Sequence, residues 1–471
     1  MQYVSTRGEG QPIDFEAAVL AGLAPDGGLY VPTHFPQLDA ATLRELRGLP
    51  YAEVATRVLA PFVTPSLAKG ELRELCEAAY AGFDHPDVAP LRALGAAAGG
   101  APLHLLELFH GPTLAFKDLA LQLLGHLFAR FLARRGGHAT VLGATSGDTG
   151  SAAIAGCRGL PGLDIVILHP HERTSAVQRR QMTTILDANV HNFAVRGSFD
   201  DCQAMVKTLF RDPAARARFG LTAVNSINTA RVLAQIVYYV TAAVALGAPE
   251  QRVRFCVPTG NFGDVLAGHW ARRMGLPVAE LVVATNSNDI LARLLETGRY
   301  GKGGVAPTLS PSMDIQVSSN FERLLFELHG DDAAAVRADM ASLDAGGFDL
   351  SAAALAQLRA GFSADRTDDA GTLARIATAH RERGVLIDPH TAVALEVAER
   401  HCAADGPDAA PMVVLATAHP AKFPAAVAEA TGIAAALPPA LADLMERPER
   451  YDVIDADAAG LAARMDALGA A

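Results

Sequence analysis

One lysine in the sequence stands where an amine can act as a nucleophile. Lys117 follows a turn at residues 110–113 and lies early in an apolar run, residues 114–132, that is typical of a helix. A helix N-terminus is already partly positive and apolar neighbours disfavour an ammonium, so we expect this amine to have a lowered pKa. Such a lysine can form a Schiff base with an aldehyde. From this stretch alone, a lysine that merely extends its ammonium from a half-buried helix to water is an equal alternative.

Two glycine-containing loops follow predicted strands. Residues 259–264 (TGNFGD) come after an apolar strand and open a helix. Glycines there let the backbone approach an anion, and the N–H groups of the helix start point towards it, so a phosphate would fit. An ordinary turn between strand and helix also contains glycine. Residues 145–150 (TSGDTG) offer donors that suit a carboxylate or a phosphate, although Asp148 could equally cap the following helix.

Arg231 belongs to a second candidate anion site. It follows Asn225, Ser226 and Asn228 at short spacing, which combines amide, hydroxyl and guanidinium groups. Arginine makes paired hydrogen bonds with phosphate or carboxylate. From the residues alone, a helix cap beside a solvated arginine explains this pattern at least as well.

Thr417 comes directly after an apolar strand predicted at residues 412–416. Ligands of parallel α/β sheets bind outside the carboxyl ends of the strands, so Thr417 is a candidate ligand contact. His419 and Lys422 lie close by in the sequence, but a lone histidine is more often structural. We therefore give no role to these two residues or to His110.

The composition is that of a globular protein with a large core. Of the 471 residues, 50% are hydrophobic and 19% are charged, and the formal net charge is −11 without a block of Lys and Arg. This balance argues against a nucleic-acid site, although donors can still gather around an anionic small molecule. The five cysteines are scattered without a CxxC pair, which indicates reduced thiols and no metal site. Without a signal peptide or a membrane-spanning apolar run, we expect a cytoplasmic protein that does not bind membranes.

Strands and helices alternate from about residue 103 onward. Strands are predicted at residues 103–108, 139–144, 163–168, 190–195, 221–224, 253–257, 281–284 and 412–416, and helical patterns lie between them. Nearly continuous apolar strands of this kind predict an α/β fold with mainly parallel sheets. The first 95 residues show helical spacing without this alternation and predict an added N-terminal helical lobe. Residues 298–312 have the composition of a loop, either a mobile flap or an ordinary surface loop.

In order along the chain, these stretches resemble those of threonine synthases, which are fold type II pyridoxal-phosphate enzymes. The long N-terminal region is similar to that of the bacterial and fungal branch. The resemblance is carried by STRG at 5–8, GLAPDGGLYVP at 22–32, FKD at 116–118, VLGATSGDTGS at 141–151, NSINTAR at 225–231, VPTGNFGD at 257–264, PSMDI at 311–315 and LATAHPAKF at 415–423. The ordered set is specific, although no single motif is decisive.

The resemblance implies a tryptophan synthase β-like fold and a division into domains. Residues 1–95 would form the N-terminal lobe, residues 96–125 and 225–471 the large cofactor-binding domain, and residues 126–224 a smaller inserted domain. It also implies a pyridoxal 5'-phosphate-dependent carbon–oxygen lyase acting on phosphate. The implied reaction converts O-phospho-L-homoserine and water into L-threonine and phosphate, the last step of threonine biosynthesis.

The same resemblance implies roles for individual residues. Lys117 would bind the cofactor and then act as the general base. The cofactor phosphate would be held by Gly260, Asn261, Phe262 and Gly263, and the pyridine nitrogen by Thr417. The substrate contacts would be Thr145, Ser146, Asp148 and Thr149, with Asn225, Ser226 and Arg231 holding the substrate's phosphate.

Two alternatives stay open from the sequence. Another fold type II lyase, such as a threonine or serine dehydratase, would share Lys117 and the loop at Gly260 but would not need Arg231 as an anion site. A non-catalytic homologue would bind the cofactor without turnover, and the intact Lys117 argues against it. The expected partner is a small-molecule substrate, and the chain is expected to be a monomer or a homodimer.

Overall fold

The computed structural model describes residues 1–145, 147–223 and 226–469 of the chain. Its strands belong to two large sheets and two small ribbons. In chain order they are β1 (Tyr3–Ser5), β2 (Tyr30–Pro32), β3 (Leu91–Ala96), β4 (Pro102–Glu107), β5 (Ala139–Ala144), β6 (Leu163–Pro170), β7 (Val190–Arg196), β8 (Leu221–Thr222), β9 (Val253–Pro258), β10 (Val278–Thr285), β11 (Arg299–Tyr300), β12 (Phe348–Asp349), β13 (Phe362–Arg366), β14 (Met412–Ala416) and β15 (Asp452–Asp455).

Helices cover the sheets and form the N-terminal lobe. In chain order they are α1 (Phe15–Ala21), α2 (Ala40–Leu46), α3 (Tyr51–Val63), α4 (Lys69–Tyr80), α5 (Lys117–Arg135), α6 (Asp148–Cys157), α7 (Ala176–Thr183), α8 (Phe199–Arg211), α9 (Pro213–Phe219), α10 (Thr229–Ala245), α11 (Gly263–Arg273), α12 (Ile290–Thr297), α13 (Phe321–Leu328), α14 (Ala333–Asp344), α15 (Ala352–Arg359), α16 (Asp369–Arg383), α17 (Pro389–His401), α18 (Pro424–Thr431) and α19 (Ala458–Gly469). Short 3₁₀ turns lie at Pro311–Met313, Pro420–Lys422 and Pro439–Leu441. No helix in the described ranges is long and apolar enough to cross a membrane.

The larger sheet has the strand order β13-β10-β9-β14-β4-β3 and is parallel except for β3, which runs antiparallel to β4. Strands β9 and β14 are buried along their whole length, as their apolar runs predicted. Because parallel strands point the same way, the carboxyl ends of β4, β9 and β14 meet at one edge of the sheet. That edge carries the turn before Lys117, the loop at Gly260 and Thr417.

The smaller sheet is parallel throughout, with the order β15-β7-β6-β5-β8. Its edge strand comes from the tail of the chain, since β15 pairs with residues 193–196 of β7. Strand β15 has four residues, of which only Ile454 is buried, so it shows no apolar run in the sequence. The domain boundaries, with residues 225–471 in the large domain, stay a prediction.

The N-terminal lobe is helical, as predicted, and consists of α1–α4 with the antiparallel ribbon β1–β2. Its helices pack against α5 and α10 through a continuous apolar core. Glu322 on α13 anchors the ribbon, because it accepts a hydrogen bond from Thr6 Oγ1 at 2.6 Å and pairs with Arg7 at 2.9 Å. The lobe is thus joined to the body by both apolar and charged contacts.

One predicted helix start differs from the structure. The helix expected from residue 114 begins at Lys117, because Leu114 has a left-handed φ of 62° and belongs to the preceding turn. Helix α8 is capped by Ser198, whose Oγ accepts from the Asp201 N–H at 3.2 Å. Residues 331–383 contain β12 and β13 as well as helices, and β13 pairs with β10.

Helices α5 and α6 touch where each has a glycine. A Cβ built on Gly125 would lie 1.8 Å from the Gly156 carbonyl oxygen, and one built on Gly156 would lie 2.4 Å from the Leu121 carbonyl oxygen. The two backbones are therefore closer than any side chain would allow. Because α5 begins with Lys117 and α6 with Asp148, this contact sets the separation of those two residues.

We predict that Gly125→Ala destabilises the protein, because the added methyl group can fit only if α5 and α6 move apart. Overpacking of this kind costs about 1–3 kcal/mol, measured as the free energy of unfolding in urea. Gly70→Ala in α4 is the matched control, since a Cβ there meets nothing within 4 Å. The control should be neutral or about 0.5–1 kcal/mol more stable. Equal stability of the two variants would contradict the close helix contact.

Candidate active site

Lys117 begins α5 on a turn that is tied to the end of β14. The Phe116 N–H donates to the Thr417 carbonyl at 2.8 Å, and the His419 N–H donates to the Leu114 carbonyl at 3.0 Å. Two stretches about 300 residues apart in the sequence therefore hold each other in place. The lysine and Thr417 are fixed relative to one another by backbone hydrogen bonds.

Asp118 fixes the same turn from the helix side. Its carboxylate accepts from the Thr113 N–H at 2.8 Å and from Thr113 Oγ1 at 2.7 Å. Burial raises the pKa of the Asp118 carboxyl to about 6, although both bonds from Thr113 act against that shift. A Cβ on Gly111 would strike the Asp118 side chain at 2.4 Å, so the turn requires glycine at this position.

The Lys117 amine is nearly removed from water. Its side chain is 12% exposed, and Nζ lies 3.7 Å from Oδ2 of Asp148. Burial lowers the pKa of Lys117, as do the nearby cations Arg231 and Lys422, while Asp148 acts in the opposite direction. The direction agrees with the expectation from the sequence. A lowered pKa leaves more of the amine in its neutral, nucleophilic form.

Asp148 is the carboxylate on which several elements converge. Its Oδ1 accepts from Gln178 Nε2 at 2.9 Å and lies 3.1 Å from Lys422 Nζ, and its Oδ2 accepts from Ser312 Oγ at 3.3 Å. Burial alone would raise the pKa of this carboxyl, but Lys422, Lys117 and Gln178 hold it well below its usual range. Asp148 is therefore ionised in the buried site.

The loop 260–263 forms a cradle between β9 and α11. Phe262 has a left-handed φ of 63°, and a Cβ on Gly260 would lie 2.6 Å from the Ser312 carbonyl oxygen. The Gly260 carbonyl accepts from Ser318 Oγ at 2.6 Å and the Asn261 carbonyl accepts from the Asn320 N–H at 3.0 Å. The N–H groups of Asn261 and Phe262 donate to no protein acceptor in the described part of the chain. Open backbone donors at a helix start fit a phosphate group.

Arg231 is buried in the first turn of α10 and keeps open donors. It is 4% exposed, and its Nε and Nη1 have no hydrogen-bond partner among the described residues. Burial lowers the pKa of the guanidinium to about 10, so it remains charged at neutral pH. A buried cation with unused donors fits an anionic ligand, since leaving those donors unpaired is unfavourable.

One cavity of about 1110 Å³ brings the predicted residues together. It lies between the carboxyl edges of the two sheets. The predicted residues that line it are Lys117, Thr145, Asp148, Thr149, Ser226, Arg231, Gly260, Asn261, Phe262, Gly263 and Thr417. Ser146 and Asn225 lie outside the described residues.

The two histidines to which we gave no role are engaged elsewhere. His110 contacts Asp84 at 2.8 Å through Nδ1 and Glu107 at 3.0 Å through Nε2. His419 accepts from the Ala421 N–H at 3.2 Å, and burial lowers its pKa to about 4. Neither residue is among those that line the cavity.

Some residues in and beside the cavity were not predicted from the sequence. Ser312 and His390 line the cavity, and the Ser312 N–H donates to His390 Nε2 at 3.2 Å. His390 Nδ1 lies 2.7 Å from Asp388, which fixes the ring. Ser312 lies in the PSMDI motif and could have been found there, whereas residues 388–390 carry no local signal. Lys422 was left without a role, yet it is fully buried beside Asp148.

Comparison with known families covers nearly the whole chain. Residues 2–80 match the threonine synthase N terminus, residues 85–345 match the pyridoxal-phosphate dependent enzymes, and residues 391–464 match the threonine synthase C-terminal region. All the motifs that carried the resemblance lie within or close to these ranges.

Individual relatives of the chain are likewise threonine synthases. The threonine synthase of Pseudomonas aeruginosa is 52% identical over 456 residues, which is 96% of each chain. That of Saccharomyces cerevisiae is 41% identical, over 90% of this chain and 88% of its own. The crystal structure of PLP-bound threonine synthase from Brucella melitensis superposes with a TM-score of 0.96 at 50% identity and covers all of both chains. The chain belongs to the threonine synthase family.

Proposed function

We propose that the chain binds pyridoxal 5'-phosphate at Lys117 and converts O-phospho-L-homoserine and water into L-threonine and phosphate. One observation carries this proposal. A single cavity contains a buried lysine together with two separate anion sites, the loop 260–263 and the guanidinium of Arg231. A phosphorylated cofactor and a phosphorylated substrate need two such sites at the same time.

The residues present fit the cofactor. The N–H groups of the loop 260–263 would hold its phosphate, and Thr417 at the end of β14 would contact its ring nitrogen. When bound, pyridoxal phosphate supplies an electron sink that stabilises negative charge on the substrate's Cα. A threonine hydroxyl can donate to a neutral ring nitrogen or accept from a protonated one, so it does not impose protonation.

Lys117 Nζ moves the proton. With its lowered pKa, the amine can accept a proton from the substrate's Cα and later return one. Lys422 is a second buried amine, but it already contacts Thr113, Gln181 and Asp148. Two of its N–H groups donate to protein oxygen atoms and the nitrogen lies beside Asp148, so Lys422 is held by the protein rather than aimed at a ligand.

The substrate is held at its two ends. Arg231, Ser226 and Asn225 bind its phosphate, and the loop that contains Thr145, Ser146, Asp148 and Thr149 binds its amino-acid part. Thr145 shapes that loop, since its Oγ1 accepts from the N–H groups of Gly147 and Gly150 at 3.0 and 2.9 Å. An enclosed, donor-lined site limits the entry of water at the wrong step, which would give a 2-keto acid.

Arg231 also separates this function from the alternatives. A threonine or serine dehydratase has no phosphate on its substrate and would leave the Nε and Nη1 donors of Arg231 unused. A non-catalytic homologue would have no need of a buried lysine with a lowered pKa. To distinguish the three functions, O-phosphohomoserine is added to the purified protein and the amounts of phosphate and of ammonia released are measured.

We also propose a cytoplasmic location and a monomeric or homodimeric state, without a nucleic-acid partner. The five cysteines support the location, because all are buried free thiols. Free thiols are typical of a reducing compartment. The formal net charge of −11 argues against nucleic acid.

Borohydride reduction should attach the cofactor to the peptide that contains Lys117, as read by mass spectrometry. Lys117→Ala should bind the cofactor weakly through the loop 260–263 and should lose turnover, because the amine proposed to bind the aldehyde and move the proton is removed. Lys422 and the exposed Lys302, which pairs with Asp344 at 2.9 Å, are the internal controls. A label on either of them would show that the cofactor lysine is misassigned.

Arg231→Leu should lower kcat/KM for O-phosphohomoserine by roughly 10- to 150-fold, because a charge-assisted contact of about 1.5–3 kcal/mol is lost. Cofactor binding and the yellow colour should persist. Arg44→Leu is the matched control, since Arg44 is 55% exposed in a surface ion pair with Glu250. If kcat/KM of the Arg231 variant equalled that of this control, the substrate's phosphate would have to bind elsewhere.

Thr417→Asp should raise the proportion of keto-acid product relative to threonine. A carboxylate keeps the ring nitrogen protonated and makes the electron sink stronger, so abortive chemistry increases. The product ratio is measured in variants that contain full cofactor. Thr417→Ser retains the hydroxyl and should keep the wild-type ratio. The proposed contact is excluded if the aspartate variant also keeps that ratio.

A further inference from the structure

Lys422 is a completely buried cation that the reaction itself does not use. Its exposed fraction is 0%, and Nζ donates to the Thr113 carbonyl at 2.6 Å and to Gln181 Oε1 at 2.8 Å. The third neighbour is Asp148 Oδ1 at 3.1 Å. Lys422 Nζ is thus surrounded by three protein oxygen atoms, two of which accept hydrogen bonds from it.

The three partners come from different parts of the fold. Thr113 lies in the turn before Lys117, Asp148 begins α6, and Gln181 is on α7. Lys422 itself lies in the 3₁₀ turn after β14, on the larger sheet. A single side chain thus connects the carboxyl edge of the larger sheet with α6, which packs on β6 of the smaller sheet, and with α7, which packs on α6.

Asp148 lies between two amines. Its Oδ1 is 3.1 Å from Lys422 Nζ and its Oδ2 is 3.7 Å from Lys117 Nζ. A lone carboxylate would hold Lys117 as an ammonium, and an ammonium is not a nucleophile. A second cation on the far oxygen reduces that attraction, and it also offsets the cost of burying the carboxylate.

We infer that Lys422 is a positioning residue that forms a buried ion pair with Asp148 and thereby sets the charge beside Lys117. The pair keeps the Asp148 carboxylate in place 3.7 Å from the Lys117 nitrogen and reduces its attraction for a proton on that nitrogen. The charged groups around Lys117 are Asp148 on α6, Asp118 on α5, Arg231 on α10 and Lys422 itself. The inference rests on the proposed role of Lys117 as the cofactor lysine.

The first test is a double-mutant cycle on the thermal stability of the cofactor-loaded chain. Asp148→Asn leaves Lys422 buried without its carboxylate, and Lys422→Gln removes the cation but keeps hydrogen-bonding capacity. The variant with both changes leaves neither member of this pair as a buried charge without its partner, so its Tm loss should be smaller than the sum of the two single losses. It should also melt above the less stable single variant.

The second test is spectroscopic and does not depend on turnover. The yellow absorbance of the cofactor at Lys117 is titrated with pH in each variant. Lys422→Gln removes a positive charge near the nitrogen, so the midpoint of the transition should rise by about one pH unit. Asp148→Asn should lower the midpoint, and the double variant should lie between the two single variants.

The exposed pair Lys302–Asp344 is the matched control. Its atoms are 2.9 Å apart, with side chains 39% and 84% exposed. Lys302→Gln and Asp344→Asn should act additively on Tm and leave the midpoint unchanged, because a solvated ion pair contributes little. Comparing the two pairs separates the effect of losing a buried ion pair from the effect of simply removing a lysine.

Additive Tm losses at positions 148 and 422, or an unchanged midpoint in Lys422→Gln, would overturn the inference. If Lys422→Gln does not fold but the double variant does, the ion pair is supported. If neither folds, Lys422 acts through packing and hydrogen bonds alone, and the inference fails. A borohydride label on a lysine other than Lys117 would overturn the cofactor assignment instead, while the Tm cycle would still test the ion pair.

Discussion

The site depends on burying positive charge in a place with little water. Arg231 and Lys422 are almost wholly buried, Lys117 is nearly so, and Asp148 is the carboxylate beside the two lysines. Each ion taken out of water without a partner costs several kcal/mol. Lys422 lies beside three protein oxygen atoms, whereas Arg231 keeps donors without a partner among the described residues. An incoming phosphate therefore gains a contact for which the protein has already removed the solvent. The positive potential is local, since the chain as a whole has a net charge of −11.

The scaffold holds these charges with contacts between backbones. The turn before Lys117 bonds to residues 417–419, and the glycine contact of α5 and α6 sets the distance from Lys117 to Asp148. The carboxyl edges of the two sheets face the same cavity. No side chain has to reach far, so little conformational entropy is lost when a ligand is bound, which favours a preorganised site.

The sequence predicted the parts of this arrangement that have local signals. Apolar runs identified most strands of the two sheets, and the loop 260–263, Lys117 and Thr417 were found because each lies next to a recognisable strand or helix end. Lys422 and Gln181 could not be found in this way, because their contact joins residues 241 positions apart. Residues that form a buried ion pair across such a separation show no periodic pattern and no characteristic spacing in the sequence. The tail strand β15 was not predicted for another reason. Three of its four residues are not buried, so it shows no apolar run.

The pairing of β15 with β7 also bears on the order in which the protein can be completed during synthesis. Domains generally fold as the chain leaves the ribosome, with N-terminal parts first. Here the smaller sheet lacks its edge strand until residue 455 has emerged, and the turn that carries Lys117 lacks its partner until residue 419 has done so. Until then, β7 exposes unpaired N–H and C=O groups, which is the condition under which strand edges of different chains associate. Pairing with β15 covers that edge of β7, so a segment far from the site completes the smaller sheet.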